Sequence, residues 1–106
     1  EVLQGSAGSP RIATGTARVI LNPNDASSLQ PGDVMIAPTT DPAWTPLFMT
    51  ASAVVVNVGA VASHAAIVSR ELGIPCAVSV ADATDRIRDG STITVDGSTG
   101  TVTIVS

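Results

Sequence analysis

Apolar positions in this chain fall into short runs rather than long stripes. Val34 to Ala37 and Ala53 to Val58 are nearly unbroken apolar stretches, the pattern of strands covered on both faces. Ala17 to Leu21 and Cys76 to Val80 read as further short strands. Thr92 to Val95 and Thr101 to Val105 flank Asp96-Gly97-Ser98-Thr99-Gly100 and predict a hairpin. Helical spacing occurs in two places. Trp44, Leu47, Phe48 and Ala51 follow the i, i+3, i+4, i+7 spacing of one buried face. Either Thr40 or Asp41 can cap that helix with Pro42 in its first turn, and Pro46 draws its start toward itself. A second helix runs from His64 to Leu72, with Ser63 as N-cap and Gly73 and Pro75 as its stop. Asn22 to Leu29 and Ala81 to Arg88 are shorter helical turns, and Gly59 to Ala62 is a turn. Residues 1–16, rich in Gly, Ser and Ala, read as a leading loop. Strands alternating with short helices and closing on a hairpin predict one α/β domain over residues 1–106, a mixed β-sandwich with short helices.

Composition narrows the chemistry. The chain has 106 residues, enough for one hydrophobic core but not for a nucleotide-binding and a substrate domain together. Trp44 and Phe48 are its only aromatics, so the core is built from small and β-branched side chains. Charged residues make up 13%, few for a free-standing domain, which suggests a surface that partly faces other domains. The net charge is −4, all five basic residues are Arg, and they do not cluster. Nucleic acid and anionic membrane surfaces are therefore not expected partners. Without Lys there is no Schiff-base or P-loop lysine. One Cys forms no internal disulfide, and a cytoplasmic location follows as the default. Asn57, Gly59, Ser63 and His64 interrupt the apolar segment 51–68, which reads as strand, turn and helix rather than a membrane span.

The one remaining reactive group is His64, the only histidine. A helix start presents unpaired N–H groups and a partial positive charge, which suit an anion such as a phosphorylated imidazole. Ala65 and Ala66 leave the ring open, and no acidic residue occupies the helix start. A lone histidine is more often a tolerated surface or core residue; this context favours chemistry. No Gly-x-Ser-x-Gly elbow accompanies it, and too few His or Cys residues are present for a metal site.

The run Gly59-Ala60-Val61-Ala62-Ser63-His64-Ala65-Ala66-Ile67-Val68-Ser69-Arg70-Glu71-Leu72-Gly73-Ile74-Pro75 resembles the phosphohistidine signature of the PEP-utilising enzymes. That family includes phosphoenolpyruvate synthase, pyruvate phosphate dikinase, rifampicin phosphotransferase and enzyme I of the sugar phosphotransferase system. Gly8-Ser9-Pro10, Gly15, Gly32-Asp33, Thr40-Asp41-Pro42, Asp89-Gly90 and Asp96-Gly97 follow in family order, so the likeness covers nearly the whole chain. Thr40 to Phe48 is similar to the rifampicin enzyme. Ala51-Ser52-Ala53-Val54, Asn57 and 82–86 are similar to the synthase. The position of the dikinases' regulatory threonine is Ala62 here.

The resemblance implies a mobile, swivelling β/β/α domain. Within it His64 would carry phosphate on Nε2 between an ATP-grasp nucleotide domain and an acceptor domain of a larger phosphotransferase, and would not turn over alone. Thr40, Gly59 and Ser63 match family positions near the histidine. Thr40 would orient the ring or phosphate, although it could equally be a helix cap. Gly59 would admit the backbone to the phosphate, and Ser63 would cap the helix and could touch phosphate. No cofactor is expected on this domain, with ATP and Mg²⁺ in partner domains. The implied acceptor is pyruvate, as in phosphoenolpyruvate synthase. Alternatives are an antibiotic hydroxyl, a carrier charged from phosphoenolpyruvate, and a non-catalytic spacer or binding module. Two positions depart from the pattern: Ala60 stands where the family usually has a second glycine, and Arg11 where it usually has Gly. Arg70 reads as solvated or ion-paired, and Cys76 and the Trp44–Phe48 pair as core.

Overall fold

The computed structural model of the chain describes residues 1–60 and 62–106, with Ala26 described by its backbone alone. In chain order its strands are β1 (Val2–Gln4), β2 (Ser6–Ser9), β3 (Ile12–Val19), β4 (Val34–Ala37), β5 (Ala53–Val56), β6 (Cys76–Val78), β7 (Thr92–Asp96) and β8 (Thr101–Ile104). Its helices are α1 (Thr45–Phe48), α2 (His64–Leu72) and α3 (Ala83–Arg86), with 3₁₀ turns at Pro23–Ser28 and Pro42–Trp44.

The unbroken apolar runs form the middle layer. β3, β4, β5 and β6 pair in parallel, and every residue of β4, β5 and β6 is buried. Alternate side chains feed two separate cores, as a strand's two-residue period requires. Met35, Ala37, Val54, Val56, Cys76 and Val78 pack with Trp44, Leu47 and Phe48 and with Ala65 and Ala66 of α2. Val34, Ile36, Ala53, Val55 and Ala77 pack with Ile93, Val95 and Val102 of the antiparallel hairpin β7–β8. The result is a β/β/α stack: antiparallel strands, parallel strands, helices.

Residues 1–16 are not a loop. They contain β1, β2 and the first part of β3, which begins at Ile12 rather than Ala17. The sheet order is β1-β8-β7-β3-β4-β5-β6-β2, so the nearly continuous run Val2–Ser9 supplies both of its edges. One strand run thus closes the two β layers, and only small residues fit at the closure. A Cβ on Gly5 would overlap the carbonyl of Val78, one on Gly97 the carbonyl of Ser9, and one on Gly100 the backbone of Ser6. The Gly/Ser/Ala composition that reads locally as a loop is therefore the steric condition for closure. The two outer edges are short strands, β1 of three residues and β2 of four.

Other boundaries differ modestly. The helix expected over 42–51 splits into a 3₁₀ turn and the short α1 beginning at Thr45. Its four apolar residues Trp44, Leu47, Phe48 and Ala51 are nonetheless buried. Asp41 is its cap, accepting from the Ala43 N–H at 2.9 Å with Pro42 following. The hairpin falls where the sequence places it. Of the turn expected over Gly59 to Ala62, Val61 lies outside the described residues.

Candidate functional site

β4 and β5 are parallel neighbours in register from Val34↔Ala53 to Ala37↔Val56, so their carboxyl ends finish side by side. Loops leaving such ends commonly carry the chemistry of α/β sheets. Here the loop after β4 leads to Thr40 and Thr45, and the loop after β5 leads to Gly59, Ser63 and His64. The two loops are tied by the Asn57 N–H donating to the Ala37 carbonyl and the Val58 N–H to the Pro38 carbonyl, each at 3.1 Å. The Asn57 side chain continues the frame, donating to Thr84 Oγ1 at 2.8 Å and accepting from the Thr84 N–H at 3.0 Å.

His64 is the first residue of α2 and is half-buried. Its ring has a partner on each nitrogen. Thr40 Oγ1 lies 2.8 Å from Nδ1, and Thr45 Oγ1 lies 3.4 Å from Nε2. The first is a well-made hydrogen bond and the second is long. With the ring proton on Nδ1, Thr40 accepts it and the Nε2 lone pair faces outward. Phe48 meets the ring edge-to-face, with centroids 5.7 Å apart and planes at 87°. Such a pair restricts ring rotation as well as burying area. Phe48 is thus both core residue and wall of the site.

Thr40 does not cap the following helix, since Asp41 takes that place and frees the Thr40 hydroxyl for His64. Ser63 sits at the N-cap position with extended backbone, but its side chain makes no capping bond. Its Oγ is buried without a hydrogen-bond partner among the described residues, which corrects the expected cap. The physical reason is the neighbouring turn: the hydroxyl is directed toward Gly59, where an added Cβ would stand 3.1 Å from it. Gly59 therefore makes room for Ser63. No side chain among the described residues caps the N–H groups of His64, Ala65 or Ala66 at the helix start.

Thr45 is the site residue that sequence reasoning missed. Its place one turn before Phe48, on the element following Thr40, is the signal that could have found it. Arg70 is exposed, as expected of a solvated side chain, and makes no ion pair among the described residues; its Nη1 donates to the Gly8 carbonyl at 2.8 Å, fastening α2 to β2. Arg11 has φ 102°, a left-handed conformation that favours glycine. Ala60 is exposed. Cys76 offers no competing nucleophile, because burial pushes its thiol up to about 11. Among the described residues no three His, Cys, Asp or Glu side chains converge to hold a metal ion, and no helix is long and apolar enough to cross a membrane.

A family profile described as "PEP-utilising enzyme, mobile domain" matches residues 29–100. The chain is 43% identical over 104 residues to the phosphoenolpyruvate synthase of Escherichia coli, covering 95% of this chain and 13% of that enzyme. It is 41% identical over 105 residues to the rifampicin phosphotransferase of Bacillus cereus, covering 99% of this chain and 12% of that enzyme. The chain thus spans about an eighth of the length of these relatives. Among solved structures, the solution structure of an enzyme I protein superposes with a TM-score of 0.66 at 30% identity, covering 76% of this chain and 34% of that one.

Proposed function

This chain belongs to the mobile-domain family of the PEP-utilising enzymes, and we propose that it is a phosphohistidine carrier in which His64 takes a phosphoryl group from an ATP-derived donor and passes it to an acceptor. In the first displacement the Nε2 lone pair attacks phosphorus. An N–P bond forms as the bond to the donor's bridging oxygen breaks, and that oxygen leaves with the donor. In the second displacement an acceptor oxygen attacks the same phosphorus, and the N–P electron pair returns to Nε2. One difficult transfer becomes two in-line steps at a single nitrogen.

The observation that carries this reading is the unequal occupation of one imidazole. Thr40 holds Nδ1 at 2.8 Å, whereas among the described residues Nε2 meets only the 3.4 Å contact of Thr45, beside a helix start that no side chain caps. Nε2 is therefore the nitrogen open to phosphorus, and the neighbouring N–H groups suit the charge of the transferred group.

The likeness to phosphoenolpyruvate synthase favours pyruvate as acceptor, attacking through its enolate oxygen after loss of a methyl proton. The likeness to rifampicin phosphotransferase favours a second reading, with a drug hydroxyl as acceptor. In either case ATP belongs to an ATP-grasp domain and the acceptor to a further domain of one larger polypeptide, with His64 moving between them. On this reading Mg²⁺ acts with ATP in the partner domains.

The test is phosphate labelling of the full-length gene product with radioactive ATP. One acid-labile, base-stable phosphate is expected, absent from the His64→Ala protein. Stable label in His64→Ala overturns the assignment, and no label in either protein favours the spacer reading. Labelling from phosphoenolpyruvate but not from ATP would instead place the donor chemistry with enzyme I.

A further inference from the structure

The Thr45 hydroxyl stands at the reactive nitrogen, and neither the family pattern read from the sequence nor the mechanism above gives it a part. Thr45 opens α1, is exposed, and makes its only side-chain hydrogen bond among the described residues to His64 Nε2, at 3.4 Å. Thr40 and Thr45 thus bracket the ring, one on each nitrogen, while Phe48 fixes its plane.

The tautomer of the ring determines which group donates. With Thr40 accepting from Nδ1–H, Nε2 has only a lone pair to offer, so the Thr45 O–H is the donor. At 3.4 Å this bond is weak and yields the lone pair at little cost. Once Nε2 is bonded to phosphorus that acceptor is gone. In its place stand anionic phosphoryl oxygens, far better acceptors than a neutral nitrogen. A threonine in the first turn of a helix has two side-chain rotamers open to it, so the hydroxyl can turn without moving the backbone.

We propose that Thr45 is a ligand of the phosphoryl group: its hydroxyl donates to Nε2 in the unloaded ring and to a phosphoryl oxygen in the loaded one. The proposal rests on the phosphohistidine reading. The exchange of a long neutral bond for a charge-assisted one favours the loaded state and slows loss of phosphate to water. No covalent bond to Thr45 forms, and its proton stays on its own oxygen.

The test loads the 106-residue chain chemically with phosphoramidate, which needs no partner domain. The imidazole lone pair attacks phosphorus, the phosphoramidate P–N bond breaks, and ammonia leaves. Phosphorus NMR then reports which ring nitrogen is loaded and how long the phosphate survives. Wild type is expected to load on Nε2. Thr45→Val is expected to load on the same atom with a lifetime shortened about tenfold, the scale of one lost hydrogen bond to a charged group. Thr45→Ser, which keeps the hydroxyl, should restore the lifetime to within about twofold. Because Thr45 is exposed, both variants should fold, and Thr45→Ala provides a second hydroxyl-free form. A wild-type lifetime in Val and Ala variants loaded on Nε2 overturns the role of Thr45 and leaves the carrier reading standing. Failure of the wild-type chain to load on Nε2 overturns both.

Discussion

The Thr40 hydroxyl and His64 Nδ1 lie 2.8 Å apart although 24 positions separate them in the chain. Their meeting is a product of the sheet. Thr40 leaves the end of β4, His64 follows the end of β5, and backbone bonds from Asn57 and Val58 lock the two loops together. The hydrogen bond holds the ring by Nδ1, and in the tautomer that carries its proton there Nε2 keeps a free lone pair.

Thr40→Val should therefore lower the rate of His64 phosphorylation by roughly 10- to 100-fold, the usual cost of losing a group that orients a functional histidine. Thr40→Ser should recover most of it. With phosphoramidate as donor, the Val variant should also carry part of its phosphate on Nδ1, a change that simple loss of stability does not produce. Wild-type rate and regiochemistry in Thr40→Val would falsify the orienting role.

Ser63→Ala should leave stability within about 0.5 kcal/mol of wild type, because the hydroxyl it removes is buried and has no hydrogen-bond partner among the described residues. A side-chain cap would instead cost about 1 kcal/mol on the same substitution. Gly59→Ala brings a methyl to 3.1 Å from that hydroxyl and should cost about 1–2 kcal/mol. The double variant Gly59→Ala/Ser63→Ala should recover a large part of that cost. Urea unfolding of the four proteins checks the cycle, and strict additivity would show that the two positions do not touch.

Gly97 does not have a left-handed backbone, so any penalty for Gly97→Ala is steric. Its methyl would overlap the Ser9 carbonyl and crowd the Cys76 N–H at the sheet closure. We expect a loss of about 2–3 kcal/mol, the upper range for overpacking, and a melting temperature lower by roughly 10 °C or more. An unchanged melting temperature would mean that the closure is looser than the packing indicates.

Alkaline pH should destabilise the fold through Cys76. Burial pushes its thiol from 9.0 up to about 11, so between those values the unfolded chain releases a proton that the folded chain retains. Stability then falls as pH rises across this window, by at most about 1.4 kcal/mol per pH unit. The chain has no Lys and no Tyr, so no other side chain ordinarily titrates there. Cys76→Ala should flatten the slope in urea midpoints measured across the window. An equally steep slope in that variant would assign the effect elsewhere.

Much of the molecule was legible from local pattern. The apolar runs of β4 and β5, the hairpin β7–β8, the helix after Ser63 and the buried set Trp44, Leu47, Phe48 and Ala51 all follow from periodicity and turn chemistry. The prominence of His64 follows from its being the one imidazole at a helix start. Less legible were β1, β2 and the first half of β3. Their composition carries no apolar alternation, because closure at Gly5, Gly97 and Gly100 demands small residues rather than hydrophobic ones.

The sequence by itself determined which segments must be buried, where chain direction turns, and which side chain is the candidate nucleophile, since these depend on residue type and near neighbours. The tertiary structure decided which groups face that nucleophile. Thr40 left the helix cap to Asp41 and turned to Nδ1, Thr45 came to Nε2, and the Ser63 hydroxyl turned from its helix toward Gly59. Several local partners compete for each hydroxyl within the chain. The competition is resolved only when two parallel strands set their loops side by side.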